Sequence, residues 1–521
     1  MPQLNGGQAL IHTLQQEGIS LVFGVPGQGQ YEAVDALYDT PGIRYISVRH
    51  EQAATYMADA YHRVSGNIAA ALVVGGPGYY NAMAGMATAL AVSSPILVIT
   101  GTRHLRGRSF PTLPGQEAVT RWAGRANSPA DIPGSVHQAM GQMRAGRPGP
   151  VALEISGEVF AATADVAWVQ PSSYIQPLPP PESIRKAAHA LLAARRPLIW
   201  AGGGVIRARA REPLQRLVDH LHIPVVTTRQ GKGALSDRHP LCLGLAELRY
   251  PPMRQWVDAS DLILAVGVGS NFAGYPQQII EINVDPEGFA GGSSALSLLG
   301  DARLTLNALD EAVRQAASPI QSERVRDVAA FRAARFDPDR QLQPQWDFIH
   351  AVRRAMPDDG ILVQGMTQMG YYSRNYFPVY ETGLFLTASS LGTLGSAFPL
   401  ALGAKVAQPE RVVVALCGDG GFLYNSQELA TAVQYEIDVV VIVFNDNAYG
   451  NVLRAQQEQF DGRIVGTKLH NPDFVQLAQS YGARGVRAGD AAQLEAAVRE
   501  ACTVKAPTII EVPVGMMARE Y

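Results

Sequence analysis

Apolar residues in the first third of the chain fall into short continuous runs, separated by segments with helical spacing. The strand-like runs are residues 21–25, 43–48, 68–74, 96–100 and 151–155. The helical segments are residues 7–17, 51–64 and 81–91. Short buried strands that alternate with amphipathic helices are typical of βαβ units, so this region predicts a parallel sheet.

The same rhythm returns twice further along the chain. The strand-like runs of the second block are residues 197–201, 224–228, 261–266 and 279–284, and those of the third, which begins near Trp346, are 361–363, 412–416, 439–444 and 508–512. A Pro- and Ser-rich linker at 166–181 and a charged helical stretch at 322–340 separate the blocks. We therefore predict an α/β protein of three doubly wound parallel-sheet domains, at residues 1–165, 183–320 and 343–515.

Two stretches, residues 64–102 and 382–404, contain no charged residue and have the length of a membrane span. Both are interrupted by glycine and proline, which leave backbone groups unpaired in lipid. Strands of a sheet that is covered on both faces also form continuous apolar runs. We therefore expect buried α/β elements here and no membrane association.

Composition and charge exclude several classes of partner. The 521 residues include 43 Lys and Arg against 46 Asp and Glu, so no basic surface for nucleic acid is expected. Three cysteines without a CxxC pair predict reduced thiols, and the N-terminus has no signal-peptide pattern. These features predict a cytoplasmic location.

Carboxylates follow two neighbouring strands of the third block. The strand at 412–416 leads into a glycine-rich turn around Asp419, and the strand at 439–444 leads into Asp446. Ligands bind at the carboxyl ends of strands in open α/β sheets, and oxygen ligands suit Mg²⁺. The sequence also predicts that a helix begins at Asn425, with Glu428 completing a capping box. Asp419 could instead be only a turn residue.

The turn and the second strand end together resemble the cofactor motif of thiamine-diphosphate enzymes. Gly418-Asp419-Gly420 is followed by Asn445-Asp446, with Asp446 placed 27 positions after Asp419, which is the spacing of that family. The resemblance implies a Mg²⁺ ion held by Asp419, Asp446 and the carbonyl of Ala448. The family has a second asparagine where this chain has Asp446, and the extra charge should alter metal affinity.

The resemblance also implies a catalytic glutamate near the N-terminus. Glu51 opens a helix directly after a strand, in the context where the family has the residue that hydrogen-bonds N1′ of the cofactor's aminopyrimidine. A base acts only within hydrogen-bond reach, so the cofactor must bend toward it. The alternative is that Glu51 simply complements the N-terminus of its helix.

Further positions match the family along nearly the whole chain. The resemblance makes Gln116 a catalytic candidate facing the substrate, although Gly115 replaces the preceding phenylalanine. The carbonyl of Gly392 is expected to accept from the cofactor's 4′-amino group, and Leu394 to lie under the bent cofactor or else in the core. The implied cofactor contacts are Pro26, Glu51, Gly76, Asn81, Gly392, Thr393, Leu394, Gly418, Asp419, Gly420, Gly421, Asp446, Ala448, Tyr449 and Gly450.

Residues 398–436 are most similar to acetohydroxyacid (acetolactate) synthases, with two departures. Ala455 replaces the tryptophan that selects their second substrate, and residues 267–285 are shorter where those enzymes bind FAD, so FAD is not expected. The glycine run at 202–204 is interpreted as a tight turn rather than a nucleotide site. Benzoylformate decarboxylases are also similar, but this chain has Val74 and Gln28 at two of the positions where they carry proton-handling residues.

Three functions follow from these observations. The first is an acetolactate-synthase-like carboligase or lyase that acts on 2-oxoacids, and the second is a benzoylformate-type 2-oxoacid decarboxylase. The third is a non-catalytic or dinucleotide-binding α/β protein. The resemblance implies a homodimer or homotetramer with active sites between subunits. Arg249, Arg454 and Gln368 could bind a substrate carboxylate, although a surface position is the simpler expectation for each.

Overall fold

A computed structural model gives the fold of the chain. It contains three six-stranded sheets in which all neighbouring strands are parallel, together with two small antiparallel pairs. The predicted fold class, three doubly wound α/β domains, is therefore confirmed. The structure describes residues 1–101, 118–171, 174–269, 272, 274–289, 295–318 and 324–519, together with the backbone of 103–105 and 108–110.

The N-terminal domain alternates strands and helices as the apolar pattern predicts. Its elements are β1 (Gln3–Asn5), α1 (Gly6–Gln16), β2 (Leu21–Gly24), α2 (Tyr31–Tyr38), β3 (Arg44–Ser47), α3 (Glu51–Ser65), β4 (Ala70–Val73), α4 (Pro77–Ala91), β5 (Leu97–Thr100), β6 (Arg103–Leu105), β7 (Arg108–Phe110), β8 (Trp122–Ala126), α5 (Ile132–Arg144), β9 (Val151–Ile155), α6 (Gly157–Ala161) and β10 (Thr163–Asp165). The sheet order is β3-β2-β4-β5-β9-β8, and β1 pairs with β10. The order reverses between β2 and β4, where open α/β sheets bind ligands.

The central domain has the strand order of a dinucleotide-binding fold. Its elements are α7 (Pro181–Ala193), β11 (Pro197–Ala201), α8 (Gly203–Arg207), α9 (Arg211–Leu221), β12 (Val225–Thr227), β13 (Cys242–Leu245), α10 (Pro251–Asp258), β14 (Leu262–Val266), β15 (Gln278–Asn283), β16 (Ala295–Leu299) and α11 (Ala302–Ala316), and α12 (Arg324–Arg335) follows. The sheet order is β13-β12-β11-β14-β15-β16. A Cβ on Gly202 would lie 2.2 Å from the carbonyl oxygen of Gly267, so close backbone packing accounts for a glycine at this turn.

The C-terminal domain repeats the topology of the N-terminal one. Its elements are α13 (Gln345–Ala355), β17 (Ile361–Gln364), α14 (Gln368–Tyr376), β18 (Phe385–Thr387), α15 (Ala397–Ala407), β19 (Val413–Gly418), α16 (Asp419–Leu423), α17 (Leu429–Gln434), β20 (Val440–Asn445), α18 (Gly450–Gln459), α19 (Phe474–Ser480), β21 (Arg484–Arg487), α20 (Ala491–Ala501) and β22 (Thr508–Pro513). The sheet order is β18-β17-β19-β20-β22-β21. Short 3₁₀ helices occupy Pro129–Asp131, Pro286–Gly288, Pro338–Arg340 and Ser426–Glu428.

The two uncharged stretches form buried strands and helices, as predicted. Every residue of β4 and β5 is buried, because helices cover both faces of the N-terminal sheet. The second stretch contains β18 and most of α15, which are also largely buried. Within the described ranges, each helix is too short or too polar to serve as a membrane span.

One hydrophobic core spans the N-terminal and C-terminal domains, whereas the central domain and the other face of the N-terminal sheet each have a core of their own. Helices α3 and α15 pack against each other across the shared core. Gly403 permits their close approach, since a Cβ there would lie 2.2 Å from the carbonyl oxygen of Met57. The start of α3, where Glu51 lies, is therefore fixed relative to the C-terminal domain of the same chain.

Two local predictions were wrong. Helix α4 begins at Pro77, four residues before the predicted start, because proline fits the first turn of a helix. A short 3₁₀ helix does begin directly after Asn425, but the capping box does not form, because both predicted capping side chains bind elsewhere. The buried Asn425 Nδ2 donates to the carbonyl oxygen of Gly395 at 2.8 Å. The predicted domain boundaries remain predictions.

Candidate active site

Glu51 is the first residue of α3 and is almost completely buried. Strand β3 ends four residues earlier, and His50 caps the helix by accepting a hydrogen bond from the backbone N–H of Gln52 at Nδ1 (3.2 Å). Glu51 is only 9% exposed. Because a buried carboxylate is costly unless it is hydrogen-bonded, its partners must come from neighbouring elements.

The turn between β4 and α4 supplies those partners. Asn81 Nδ2 donates to Glu51 Oε2 at 3.0 Å. Gly78 leaves room for the other oxygen, since a Cβ there would lie 2.9 Å from Glu51 Oε1. Gly76 has a φ of 77°, which favours glycine, and Pro77 follows it in the first turn of α4. Asn81 and Gly78 of this turn therefore lie against the Glu51 carboxylate, and the predicted cofactor contact Gly76 precedes them at the start of the same turn.

The end of β2 lies at the same edge of the N-terminal sheet. Pro26 is exposed and follows this strand. A Cβ on its neighbour Gly27 would lie 3.0 Å from Val74 Cγ2, and Val74 also borders the position of a Cβ on Gly78. Val74 therefore contributes an apolar side chain next to the Gly78–Glu51 contact.

Glu428 of the C-terminal domain holds the backbone just before Glu51, a role that the sequence did not reveal. Both of its carboxylate oxygens accept from the backbone N–H of Arg49 at 3.1 Å, and the Thr431 hydroxyl donates to it at 2.6 Å. Burial raises the pKa of Glu428 to about 7, although these hydrogen bonds lower it. Arg49 and Glu428 are 379 positions apart, so no local pattern could have identified the contact.

Asp419 lies at the end of β19 with both carboxylate oxygens committed. Oδ1 accepts from the backbone N–H of Gly420 at 2.8 Å. Oδ2 accepts from the backbone N–H of Ala448 at 3.3 Å and from Asn471 Nδ2 at 2.7 Å. The side chain is 2% exposed, and burial raises the pKa of Asp419.

Asp446 follows the adjacent strand β20, so the two carboxylates lie at neighbouring strand ends as predicted. Burial and the charge of Asp419 raise the pKa of Asp446 to about 6. Gly450 is required beside it, because a Cβ there would lie 2.3 Å from Asp446 Oδ2. Asp419 is buried and Asp446 partly buried, and two neighbouring carboxylates that repel each other are the arrangement that a bound divalent cation relieves.

The protein alone does not complete a metal site. In the part of the chain that the structure describes, no group of three or more His, Cys, Asp or Glu side chains is arranged to hold a metal. Two carboxylates and a backbone carbonyl leave positions for other oxygens, which suits Mg²⁺ because this ion commonly keeps phosphate oxygens as ligands. These residues therefore fit a magnesium diphosphate.

Asn471 is a second residue that sequence reasoning missed. Its Nδ2 donates to Asp419 Oδ2, to Asn445 Oδ1 at 2.9 Å and to Asn447 Oδ1 at 3.4 Å. It thereby ties the end of β19 to the turn after β20. Asn471 lies 52 positions after Asp419, in a segment without a recognisable cofactor motif.

The loop before α15 contains the predicted cofactor-shaping residues. Gly392 has a φ of 83°, and no heavy atom lies within 4 Å of the position of a Cβ there. Thr393 Oγ1 lies 2.9 Å from Thr88 Oγ1 of α4, and Leu394 is half-buried. The remaining predicted contacts flank the two carboxylates along the chain, namely Gly418, Gly420, Gly421, Tyr449 and Gly450. The Tyr449 ring lies 2.6 Å from the position of a Cβ on Gly420.

The other substrate candidates have different outcomes. Gln116 lies outside the described residues. The expectation of a surface position was wrong for Arg454, which is 7% exposed and donates to Gln368 Oε1 at 2.6 Å and to the carbonyl oxygen of Met517. Arg249 is exposed and pairs with Glu247 at 2.9 Å.

Comparison with known proteins agrees with this geometry. Residues 4–122, 184–309 and 365–512 match the N-terminal TPP binding, central and C-terminal TPP binding domains of thiamine pyrophosphate enzymes. The chain is 31% identical to a probable acetolactate synthase large subunit of Methanocaldococcus jannaschii, over 98% of this chain and 92% of that protein. It is 30% identical to the acetolactate synthase isozyme 3 large subunit of Escherichia coli, over 96% and 92%.

A probable 2-ketoarginine decarboxylase of Pseudomonas aeruginosa is also similar. It is 35% identical, over 98% of this chain and 94% of that protein. The similarity to both kinds of enzyme extends along essentially the full length of the chain. The chain therefore belongs to the thiamine pyrophosphate-dependent enzymes of the acetolactate-synthase-like family.

Proposed function

We propose that this enzyme cleaves or forms a carbon–carbon bond next to the carbonyl of a 2-oxoacid, with ligation to a second carbonyl as its main outcome. The proposal depends on two sets of acidic residues: one oriented, buried carboxylate, Glu51, in the N-terminal domain, and two neighbouring carboxylates, Asp419 and Asp446, in the C-terminal domain. We call the region around Asp419 and Asp446 the metal end. When bound, thiamine diphosphate supplies the electron sink for this chemistry, and the protein supplies position and electrostatics.

The C-terminal strand ends are proposed to hold the diphosphate through Mg²⁺. Asp419, Asp446 and the carbonyl of Ala448 are the metal ligands in this proposal. Asn471 keeps Asp419 in place through a 2.7 Å hydrogen bond. Gly421 leaves room for a bound group here, because the nearest heavy atom to the position of a Cβ there, Gly395 N, lies 3.9 Å away.

Glu51 is proposed to hold a proton at N1′ of the aminopyrimidine and to return it during turnover. Asn81 fixes the orientation of its Oε2, and burial excludes water from the carboxylate. Gly392 is proposed to accept from the 4′-amino group, with Leu394 beneath the bent cofactor. Pro26, Gly76, Thr393, Gly418, Gly420, Gly421, Tyr449 and Gly450 complete the proposed cofactor contacts, and Gln116 is proposed to face the substrate.

Ligation rather than simple release of an aldehyde is favoured by the surroundings of Glu51. The adjacent histidine, His50, uses Nδ1 to cap α3. Val74, which borders the same turn, cannot donate a proton. A site with few proton donors leaves the reactive carbon free to meet a second carbonyl. The decarboxylase relative supports the second candidate, a 2-oxoacid decarboxylase without ligation.

A panel of 2-oxoacids tests this proposal. The protein is loaded with thiamine diphosphate and Mg²⁺, and both CO₂ and ligated products are followed by enzyme-coupled assay and mass spectrometry. We expect CO₂ together with a hydroxy-ketone or 2-hydroxy-2-acyl acid product. Aldehyde alone would favour the decarboxylase candidate. No release of CO₂ and no ligation from any acid would end the proposal.

We also propose a homodimer, or a tetramer of two such dimers, in which Glu51 of one subunit faces the metal end of the other. Co-expression of a Glu51→Gln chain with an Asp419→Asn chain tests this assembly. In the mixed dimer one site has both residues intact, so activity should reappear although each variant alone is inactive. A mixed dimer that stays inactive would place both residues in one subunit.

The absence of FAD stays a prediction, which the absorbance spectrum of the purified protein between about 350 and 500 nm tests directly. The central domain has a cavity of about 1070 Å³ at the carboxyl ends of β11, β14 and β15. Its glycine turn is accounted for by packing against Gly267. Bound flavin would show that this cavity retains the role it has in acetohydroxyacid synthases.

A further inference from the structure

A second cavity, of about 420 Å³, lies between the central and C-terminal domains and adjoins the metal end. Gln368 forms the connection. A Cβ on Gly450 would lie 3.0 Å from Gln368 Nε2, and the same Cβ would lie 2.3 Å from Asp446 Oδ2. A group bound in this cavity would therefore reach toward the site that holds the cofactor's diphosphate.

The lining of this cavity has an excess of positive charge. It includes five arginines, at 229, 249, 374, 454 and 519, and two glutamates, at 247 and 458. Arg249 binds Glu247 with two hydrogen bonds of 2.9 Å, so this pair is neutral overall. The buried Arg454 lies close enough to Asp446 to lower the pKa of that carboxyl.

Arg374, on α14, is a partly buried arginine of this lining. Its Nε donates to Gln364 Oε1 at 3.3 Å, and its guanidinium lies 4.6 Å from the ring centroid of Tyr371. Burial and the nearby Arg229 and Arg249 lower the pKa of Arg374 to about 10. Glu247, already paired with Arg249, acts on Arg374 in the opposite direction, but the hydrogen-bond and ring partners of Arg374 are neutral. A partly buried guanidinium with such partners is costly, because charge in the interior is stable only when it is paired.

Arg229 reinforces this charge from the central domain. It is exposed, and among the residues that the structure describes it forms no ion pair. Glu458, the remaining acidic residue of the lining, is exposed on α18. Arg374 and Arg229 therefore present two positive charges to a polar cavity that opens off the cofactor site.

We propose that this cavity binds a second carboxylate of the substrate, so that the enzyme prefers 2-oxodicarboxylic acids over neutral or cationic 2-oxoacids. The inference rests on the proposed function and specifies its substrate class. Arg374 is the proposed main contact, since a guanidinium binds a carboxylate with two parallel hydrogen bonds. A cationic tail, such as that of 2-ketoarginine, would meet repulsion in this cavity.

Substrate preference tests the proposal on the protein loaded with thiamine diphosphate and Mg²⁺. The four probes are 2-oxoglutarate, its neutral 5-amide, 2-oxopentanoate and 2-ketoarginine. We expect kcat/KM for 2-oxoglutarate to exceed that of each other acid by about tenfold or more, since hydrogen bonds to charged groups are the stronger ones. Equal kcat/KM values for the four acids would overturn the charge preference while leaving the proposed function intact.

Variants identify the residues responsible. Arg374→Met should lower the ratio of kcat/KM for 2-oxoglutarate to that for its amide toward one, mainly through KM, and Arg374→Lys should restore part of it. Arg254→Met is the matched control, because Arg254 on α10 is exposed, pairs with Asp258 at 3.0 Å and does not line the cavity. Arg229→Gln removes an exposed side chain, so it tests the same cavity with little risk to folding. A ratio that is unchanged in both Arg374→Met and Arg229→Gln would overturn the proposal.

Binding of an unreactive acid separates this proposal from the catalytic one. Glutarate has two carboxylates and no 2-oxo group, and calorimetry should show that it binds the loaded protein about tenfold or more tightly than glutaramide does. The preference should shrink in Arg374→Met. Absence of turnover with selective glutarate binding would reject the proposed function alone, whereas equal binding of the two probes would reject the cavity's role.

Discussion

The N-terminal and C-terminal domains have the same topology but carry different chemistry. In both sheets the strands, counted along each domain, lie in the order second, first, third, fourth, sixth and fifth. The N-terminal strand ends bring one buried carboxylate, Glu51, against a neutral amide from Asn81. The C-terminal strand ends bring together two carboxylates, Asp419 and Asp446, whose charges repel.

This difference shows that the fold determines where reactive residues can lie and the strand-end residues determine what they do. A single carboxylate with one neutral donor can exchange a proton with a bound ring. Two carboxylates in a buried site call for a cation. If this division is correct, a variant of Glu51 should lose turnover while it still binds the cofactor, whereas a variant of Asp419 should lose cofactor binding.

Glu51→Gln should have the largest effect. We expect turnover to fall about 10³-fold, because proton transfer by a positioned group contributes on that order, while thiamine diphosphate and Mg²⁺ still bind. Steady-state kinetics and the cofactor content after desalting measure the two effects separately.

Glu182→Gln is the control for this variant. Glu182 also lies in the first turn of a helix, α7, but it is exposed and pairs with Lys186 on the surface, so its loss should leave turnover unchanged. Turnover by Glu51→Gln at the rate of the parent would show that Glu51 merely complements the helix N-terminus.

Asp419→Asn should show the opposite pattern. The backbone N–H of Gly420 and Asn471 Nδ2 both donate hydrogen bonds to the Asp419 carboxylate. The side-chain N–H groups of an asparagine cannot accept these bonds. Mg²⁺-dependent binding of thiamine diphosphate, followed by titration calorimetry, should weaken about 100-fold or more. An unchanged affinity in this variant would place the metal elsewhere.

The sequence predicted periodic elements and strand-end residues well, because both follow from short-range patterns. Strands β9 and β11 match their predicted bounds, and Asp419 and Asp446 lie at adjacent strand ends. Prediction from the sequence failed where a side chain binds a distant segment instead of its neighbours along the chain. Glu428 sits three positions after Asn425 and fits a capping box, yet its carboxylate binds the backbone N–H of Arg49.

Asn471 illustrates the same limit at the metal end. Its amide reaches three residues of two different strand ends, although Asn471 itself lies between α18 and α19. A local motif cannot encode such contacts because the partners are set by topology. The glycines could be matched to the family, but their reasons, such as the contact of Gly450 with Asp446, required the structure.

Glu428→Gln tests the connection between the two domains through pH. Because the pKa of Glu428 in the folded protein is raised to about 7, the folded state holds the proton more tightly than the unfolded state does. The stability that this proton contributes to the folded state is therefore lost as the pH rises from about 4.5 through 7. Glutamine does not ionise, so the free energy of unfolding of the variant relative to the parent should rise across this interval by on the order of 2 kcal/mol. Urea unfolding at several pH values measures the difference, and parallel curves would contradict it.

Asp446→Asn should produce the smallest change, a change in the free energy of unfolding whose sign depends on whether Mg²⁺ and thiamine diphosphate are bound. In the metal-free protein the pKa of Asp446 is raised to about 6, so ionised Asp446 destabilises the folded state above that pH. The variant removes this repulsion of Asp419, and because the site is partly solvated we expect a gain of about 1 kcal/mol at pH 7.5. With Mg²⁺ and thiamine diphosphate the order should reverse, since the charged oxygen binds the cation more strongly. Thermal unfolding with and without both ligands measures the two differences, and a variant that is less stable than the parent without metal would mean that the two carboxylates do not repel.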